Sequence, residues 1–237
     1  MRQTLARQAV AEALGTAMLL AAVVGSGIMA ERLAGGNAAI TLLANTIATG
    51  AALVALILTF GGISGAHFNP VVTLCDAWQK GISWSSAALY IFSQITGAIV
   101  GVAAANIMFG LPVLFCATKI RTGGEQWFSE FVATFGLLAV IWGCARLHNK
   151  MVVPFAVAAY ITAAYWFTAS TSFANPAVTI ARGLSDTFTG IRPVDAPSFV
   201  IAQIFGGFAA TLLFGWLVPI TPSGVDVIVV PHEKNNE

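Results

Sequence analysis

The sequence predicts an all-α membrane protein in which six transmembrane helices and two re-entrant half-helices form an inverted repeat. Three observations predict it: long stretches without a formal charge, an Asn-Pro motif inside two of those stretches, and short sequence matches that recur in the same order in both halves. Of the 237 residues, 57% are hydrophobic and 9% charged, with mean hydropathy +0.83. An ordinary soluble domain carries about 25% charged residues, so a water-soluble enzyme is excluded. A net charge of +1 and an isoelectric point near 7.8 leave no basic footprint for nucleic acid.

Asp, Glu, Lys and Arg are absent from residues 13–30, 33–75, 81–118, 151–181 and 196–225. Roughly 20 apolar residues cross a bilayer. The stretches therefore predict spans over Ala9–Met29, Ala38–Phe60, Ser85–Met108, Gln126–Ala145, Val152–Ala169 and Pro197–Val218. Arg2 and Arg7 precede the first, but its apolar run is too long for a cleavable signal, so this segment is expected to stay in the membrane. Cys75, Cys116 and Cys144 show no CxxC spacing and are expected to be packed thiols. Gly97-Ala98-Ile99-Val100-Gly101 and Gly206-Gly207-Phe208-Ala209-Ala210 suit close helix packing in lipid, where small residues let backbones approach.

Two stretches are too long for one span and too short for two. The remainders after Phe60 and Ala169 hold His67-Phe68-Asn69-Pro70-Val71 and Phe173-Ala174-Asn175-Pro176-Ala177. Asn is a strong helix N-cap and Pro is favoured at the first helical position, so each motif predicts the start of a short helix. Irregular backbone at this depth must be enclosed by protein or line an aqueous cavity.

The repeat fixes how the halves relate. Ala11-Glu12-Ala13-Leu14-Gly15-Thr16 matches Ser129-Glu130-Phe131-Val132-Ala133-Thr134, Asn69 matches Asn175, and Ser93-Gln94-Ile95-Thr96-Gly97 matches Ala202-Gln203-Ile204-Phe205-Gly206. Each half, about residues 9–108 and 126–218, holds three spans and one half-helix within a single domain over residues 1–237. Three is odd, so the second half enters from the opposite face of the membrane. Orientation is not decided by charge: with the N-terminus inside, Arg2, Arg7, Lys80, Arg146, Lys150 and Lys234 oppose Arg32, Lys119, Arg121, Arg182 and Arg192.

Two half-helices meeting N-terminus to N-terminus place about half a positive charge each at the pore centre, with unsatisfied N–H groups aimed at whatever passes. The carboxamides of Asn69 and Asn175 can then donate to a solute oxygen while their carbonyl oxygens cap the helices. The positive ends of the two dipoles then oppose the passage of a cation.

The paired Asn-Pro motifs, together with Glu12, Glu130, Gln94 and Gln203, resemble the major intrinsic protein family, the aquaporins and aquaglyceroporins, over nearly the whole chain. The resemblance implies an aquaporin-like fold and a passive channel with no catalytic residues, no cofactor and no metal. It implies a multi-pass protein of a bacterial inner membrane, surrounded by lipid and assembled as a homotetramer with one pore per protomer. Glu12 and Glu130 would brace the re-entrant loops, with a proton relay as the alternative. His67 would line one side of the pore.

Water-selective relatives build a constriction from an aromatic, a His, a small residue and an Arg. The corresponding positions here are Thr49, Tyr165 or Ala163 by two ways of counting, Ser172 and Val178. Val lacks the permanent charge and fixed donors of an Arg, so a wider, less cationic mouth is expected. Arg182 lies four residues beyond Val178 on the same helical face, either returning charge to the vestibule or bracing a loop or interface. The run Asn175 to Arg182 is similar to bacterial members of arsenic-resistance operons that pass arsenite. Water, glycerol-like polyols and arsenite are the solutes expected, with strict water selectivity or ion-coupled transport as alternatives. An intramembrane hydrolase built on Ser64 and His67 is disfavoured because the second motif has no His and no acid follows to orient one.

Overall fold

The computed structural model describes residues 3–147 and 150–219; Arg2 and Lys234, used in the orientation count, lie outside them. Eight α-helices run in the order α1 Leu5–Leu33, α2 Ala38–Ser64, α3 Pro70–Trp78, α4 Trp84–Met108, α5 Gly124–Leu147, α6 Val153–Phe167, α7 Pro176–Arg182 and α8 Ala196–Leu217. Side-chain caps start several of them: Thr4 for α1, Asn37 for α2 and Ser83 for α4 each accept a first-turn N–H.

Helices α1, α2, α4, α5 and α8 are each long and apolar enough to cross a bilayer. Helix α6 has only 15 residues, about 22 Å at 1.5 Å per residue. A 3-10 turn over Lys150–Val152 precedes it, adding roughly 6 Å, so the fifth span nearly matches a hydrocarbon core of about 30 Å. It stops early because the chain must turn back at Thr168 toward the second tip. Helix α2 runs four residues past the expected Phe60, to Ser64, where Gly65 ends it in the left-handed region at φ +88°.

The inverted repeat is visible in the packing. Helix α1 lies on α4, and α5 lies on α8 in the equivalent arrangement. A Cβ added at Gly97 would sit 2.1 Å from the Ala13 carbonyl oxygen, and one at the equivalent Gly206 would sit 2.4 Å from the Phe131 carbonyl oxygen. Only hydrogen at these positions permits such close backbone approach. Outside the bundle many large apolar side chains, including Phe92, Phe128, Phe205 and Trp216, are exposed, as a lipid-facing surface requires. One expectation is corrected: Cys75 is buried and Cys144 partly so, but Cys116 is exposed because it falls in the irregular segment between α4 and α5.

Candidate solute pore

Both re-entrant tips take the same unusual path. Ala66 and Phe68 in the first half and Ser172 and Ala174 in the second all have φ of 49–50°, 106 residues apart pairwise. Left-handed non-glycine residues cost of order 1–3 kcal/mol each and persist only where surroundings hold them. Two buried carboxylates do the holding. Glu12 Oε1 accepts from Ser64 Oγ at 2.6 Å and His67 N at 3.0 Å, and Oε2 from Phe68 N at 2.7 Å and Gln94 Nε2 at 2.8 Å. In the other half, Glu130 accepts from Phe173 N and Ala174 N, both at 2.9 Å, and from Gln203 Nε2 at 2.6 Å. Gln94 and Gln203 also donate to Thr73 and Thr179, whose hydroxyls donate to the carbonyls of Asn69 and Asn175.

Each tip then hands over to a half-helix. Asn69 Oδ1 caps α3 by accepting from Val71 N at 3.0 Å, and Asn175 Oδ1 caps α7 by accepting from Ala177 N at 2.9 Å and Val178 N at 3.3 Å. Pro70 and Pro176 occupy the first helical turn, where no N–H is needed. The carboxamide nitrogens cross between the halves: Asn69 Nδ2 donates to the Ala174 carbonyl at 2.8 Å and Asn175 Nδ2 to the Phe68 carbonyl at 2.7 Å. An NH2 group has two hydrogens, so each Asn uses one to tie the tips together and has a second without a hydrogen-bond partner among the described residues. The crossing bonds were not expected from the sequence.

A cavity of about 80 Å³ runs past this junction, several times the roughly 10–15 Å³ that one water needs. Its walls include Asn69, Asn175, His67, Thr49, Tyr165, Ser172 and Val178, with an apolar remainder such as Leu53, Leu137 and Ile161. The Tyr165 hydroxyl donates to Thr49 Oγ1 at 3.3 Å, bridging α6 and α2, whereas Ala163 is exposed on the outside of the bundle. Ser172 Oγ is buried without a hydrogen-bond partner among the described residues. Val71 and Ala177 are fully buried outside these walls, Val71 against the backbone of Gly207.

The two ends of the cavity differ. At one, His67 Nδ1 lies 3.1 Å from Thr73 Oγ1 and Nε2 lies 3.6 Å from Asp76 Oδ2. No acid to orient His67 was expected from the sequence; Asp76, about two turns into α3, is that acid. Ser64 nevertheless donates to Glu12, which leaves it tied to the brace. At the other end Arg182 lines the cavity, its guanidinium 3.4 Å from the Phe173 ring centre and its Nε bonded to the Thr189 carbonyl. Arg182 thus both faces the pore and braces a loop. Arg121, from the segment between α4 and α5, reaches the same ring at 4.9 Å. Arg121, Phe173 and Asp76 were missed as site residues. The repeat offset of 106 from Arg182 and from His67 points to Asp76 and Phe173, but no local signal marked Arg121.

Two half-helices joined tip to tip beside a cavity, inside six spans, define a membrane channel of the aquaporin type. Residues 1–163 match the family described as Major intrinsic protein, and the chain belongs to that family. It is 55% identical over 214 residues to the aquaglyceroporin AqpS of Rhizobium meliloti (strain 1021), covering 90% of this chain and 91% of that one. It is 30% identical over 211 residues to aquaporin NIP1-3 of Oryza sativa subsp. japonica, covering 86% and 71%. The crystal structure of the aquaglyceroporin from Plasmodium falciparum superposes with a TM-score of 0.67 at 20% identity, over 91% of this chain and 98% of that one, a likeness of fold. The protein is an integral, multi-pass membrane channel for small solutes.

Proposed function

We propose that the channel passes small uncharged hydroxylated solutes, namely water, glycerol-like polyols and arsenous acid, through a filter formed by Thr49, Tyr165, Ser172 and Val178. The observation that carries this reading is Val178 on the cavity wall, where a fixed cation would otherwise narrow the mouth. The spare N–H groups of Asn69 and Asn175 offer a donor pair to any hydroxyl oxygen at the centre. Arsenous acid is an uncharged triol at neutral pH and suits the same path as glycerol. The name of the 55% identical bacterial relative, an aquaglyceroporin, agrees with it, as does the run Asn175 to Arg182.

In this reading the whole chain is one channel domain of a bacterial plasma membrane, assembled as a homotetramer, and Glu12 and Glu130 act as braces. Reconstituted protein is expected to speed water, glycerol and arsenous acid flux across vesicles without a proton or sodium gradient. Val178→Arg is expected to cut glycerol and arsenite flux more than water flux. Water flux alone in the parent protein supports strict water selectivity instead, and gradient-dependent uptake supports a coupled transporter.

A further inference from the structure

We propose that Arg182 and Arg121 form a cation barrier at the mouth of the pore away from His67, supplying from two other elements the charge that Val178 lacks. The inference rests on the channel reading above and assigns to that channel its ion-excluding residues.

Both guanidiniums are buried, Arg182 at 2% and Arg121 at 7% exposure, and among the described residues neither has a carboxylate within salt-bridge distance. Burying a charge without a direct ion pair is expensive, and inside a membrane such a group is a functional site by default. Glu130 lies within electrostatic reach of both guanidiniums but pairs directly with neither, so two cations against one acid leave this end net positive. Glu130 accepts from the second tip, while Asp195 accepts the Arg121 backbone N–H and pairs with Arg192. Backbone carbonyls hold the two guanidiniums in place: Arg121 Nε donates to Gly190 at 2.9 Å and Nη1 to Ser170 at 3.0 Å, and Arg182 Nε donates to Thr189. Burial draws Arg121 down to about 10, still well above neutral pH, so it stays charged.

The position of the pair suits a filter. Helix α7 carries the chain from Asn175 at the centre to Arg182, seven residues on, about 10 Å at 1.5 Å per residue. The two terminal nitrogens of Arg182 make no hydrogen bond to a described residue, and the side chain lines the cavity. Ser172 Oγ, also on the wall and 3% exposed, is unpartnered as well. A neutral solute entering here meets free N–H donors for its oxygens. A cation meets two fixed positive charges before it reaches the positive ends of the half-helices, and in a low-dielectric channel those charges are weakly screened. Phe173 makes the geometry possible, since its face attracts both guanidiniums and offsets part of their mutual repulsion.

The test uses full-length protein in vesicles, comparing the parent with Arg182→Met, Arg121→Met, the double variant, Arg182→Lys and Val178→Arg/Arg182→Met. Two fluxes are read on each: glycerol flux by light scattering, and leak of protons and methylammonium under an imposed potential. The expected result is a cation leak raised about tenfold in Arg182→Met and further in the double variant, with glycerol flux persisting. Arg182→Lys, which keeps the charge, should stay near the parent, and returning an Arg at 178 should suppress the leak. Cation leak equal to the parent in Arg182→Met and the double variant, with glycerol still crossing, overturns the assignment. If Arg182→Met does not conduct at all, Arg121→Met and Arg182→Lys decide: a leak in the former and none in the latter supports the barrier, and the reverse overturns it. Parent vesicles no faster than empty ones overturn the channel reading, and the barrier with it.

Discussion

Replacing Glu12 by Gln probes the brace with the least change of shape. The carboxylate receives four donors and needs to give none. A Gln presents one acceptor oxygen and one NH2, so one side of the group turns from acceptor to donor. Placed toward Ser64, the NH2 can be accommodated by rotating the hydroxyl, but it faces the His67 N–H head-on. Placed toward Gln94, it can be met by flipping that amide, whose Oε1 is unpartnered among the described residues, but it then faces the Phe68 N–H. Either way one backbone donor at a tip is orphaned, at about 1–3 kcal/mol. Removing the charge recovers some desolvation energy, but hydrogen bonds to a charged acceptor contribute about 1.5–3 kcal/mol each, and several weaken together. The same count holds for Glu130→Gln, because Phe173 N and Ala174 N approach from opposite sides and Gln203 can flip. At roughly 2–4 °C per kcal/mol for a chain of this size, each single variant should melt about 2–12 °C lower. The orphaned residue lies one or two positions before the capping Asn, so osmotic water permeability should fall too. Thermal unfolding in detergent and stopped-flow light scattering of vesicles measure the two effects. A Glu12→Gln protein with parental melting temperature and flux would refute the bracing argument. Flux that follows a proton gradient in the parent and loses that dependence in Glu12→Gln would make the carboxyl a relay.

Other substitutions test separate links. Gly97→Leu and Gly206→Leu should each force α1 from α4 or α5 from α8, because the obstructing atoms are backbone; overpacking of this kind costs about 1–3 kcal/mol or more, and lower yield of monodisperse protein would show it. Asn175→Asp keeps the cap but replaces the donor to the Phe68 carbonyl with an acceptor, so the tips should part, with lowered melting temperature and a cation leak greater than the parent's in a vesicle assay. Since Arg121 titrates at about 10, cation exclusion should be flat between about pH 6 and 8, where an unperturbed histidine would titrate; a leak that rises across that window would assign the barrier to His67 and Asp76 instead.

The backbone plan was readable from the sequence because each feature has a local cause. Charge-free length gave the spans, Asn-Pro gave the half-helix starts, and the Glu and Gln matches located the brace at both tips. Choosing between Tyr165 and Ala163 needed the short α6, because no pattern in the sequence says where a helix stops when the following loop re-enters the bundle. Arg121 was out of reach for a different reason. It lies in an irregular segment whose path is set by contacts with residues about 50 to 75 positions later, Ser170, Gly190 and Asp195. Nothing in its immediate sequence distinguishes a buried Arg from a solvated one. The crossing bonds of Asn69 and Asn175 likewise depend on how closely the two tips dock.

The repeat also relates the different residues at the two ends of the cavity. Residues 106 apart occupy equivalent places: Asn69 and Asn175, Thr73 and Thr179, and the left-handed residues of both tips. By the same offset His67 corresponds to Phe173 and Asp76 to Arg182. The contact of His67 with Asp76 and the contact of Phe173 with Arg182 are therefore one contact present twice, a ring against an ionisable side chain about two turns into a half-helix. Where both halves must hold the same geometry, the residues match. Away from the tips they have diverged, to an imidazole beside an acid on one side and an aromatic ring beside a base on the other. A fixed charge at a mouth cannot set the direction of passive flow, since that follows the solute gradient alone. It changes only which species enter, and at what rate. A channel for neutral solutes thus tolerates different residues at its ends, provided that one end and the centre remain positive enough to stop cations.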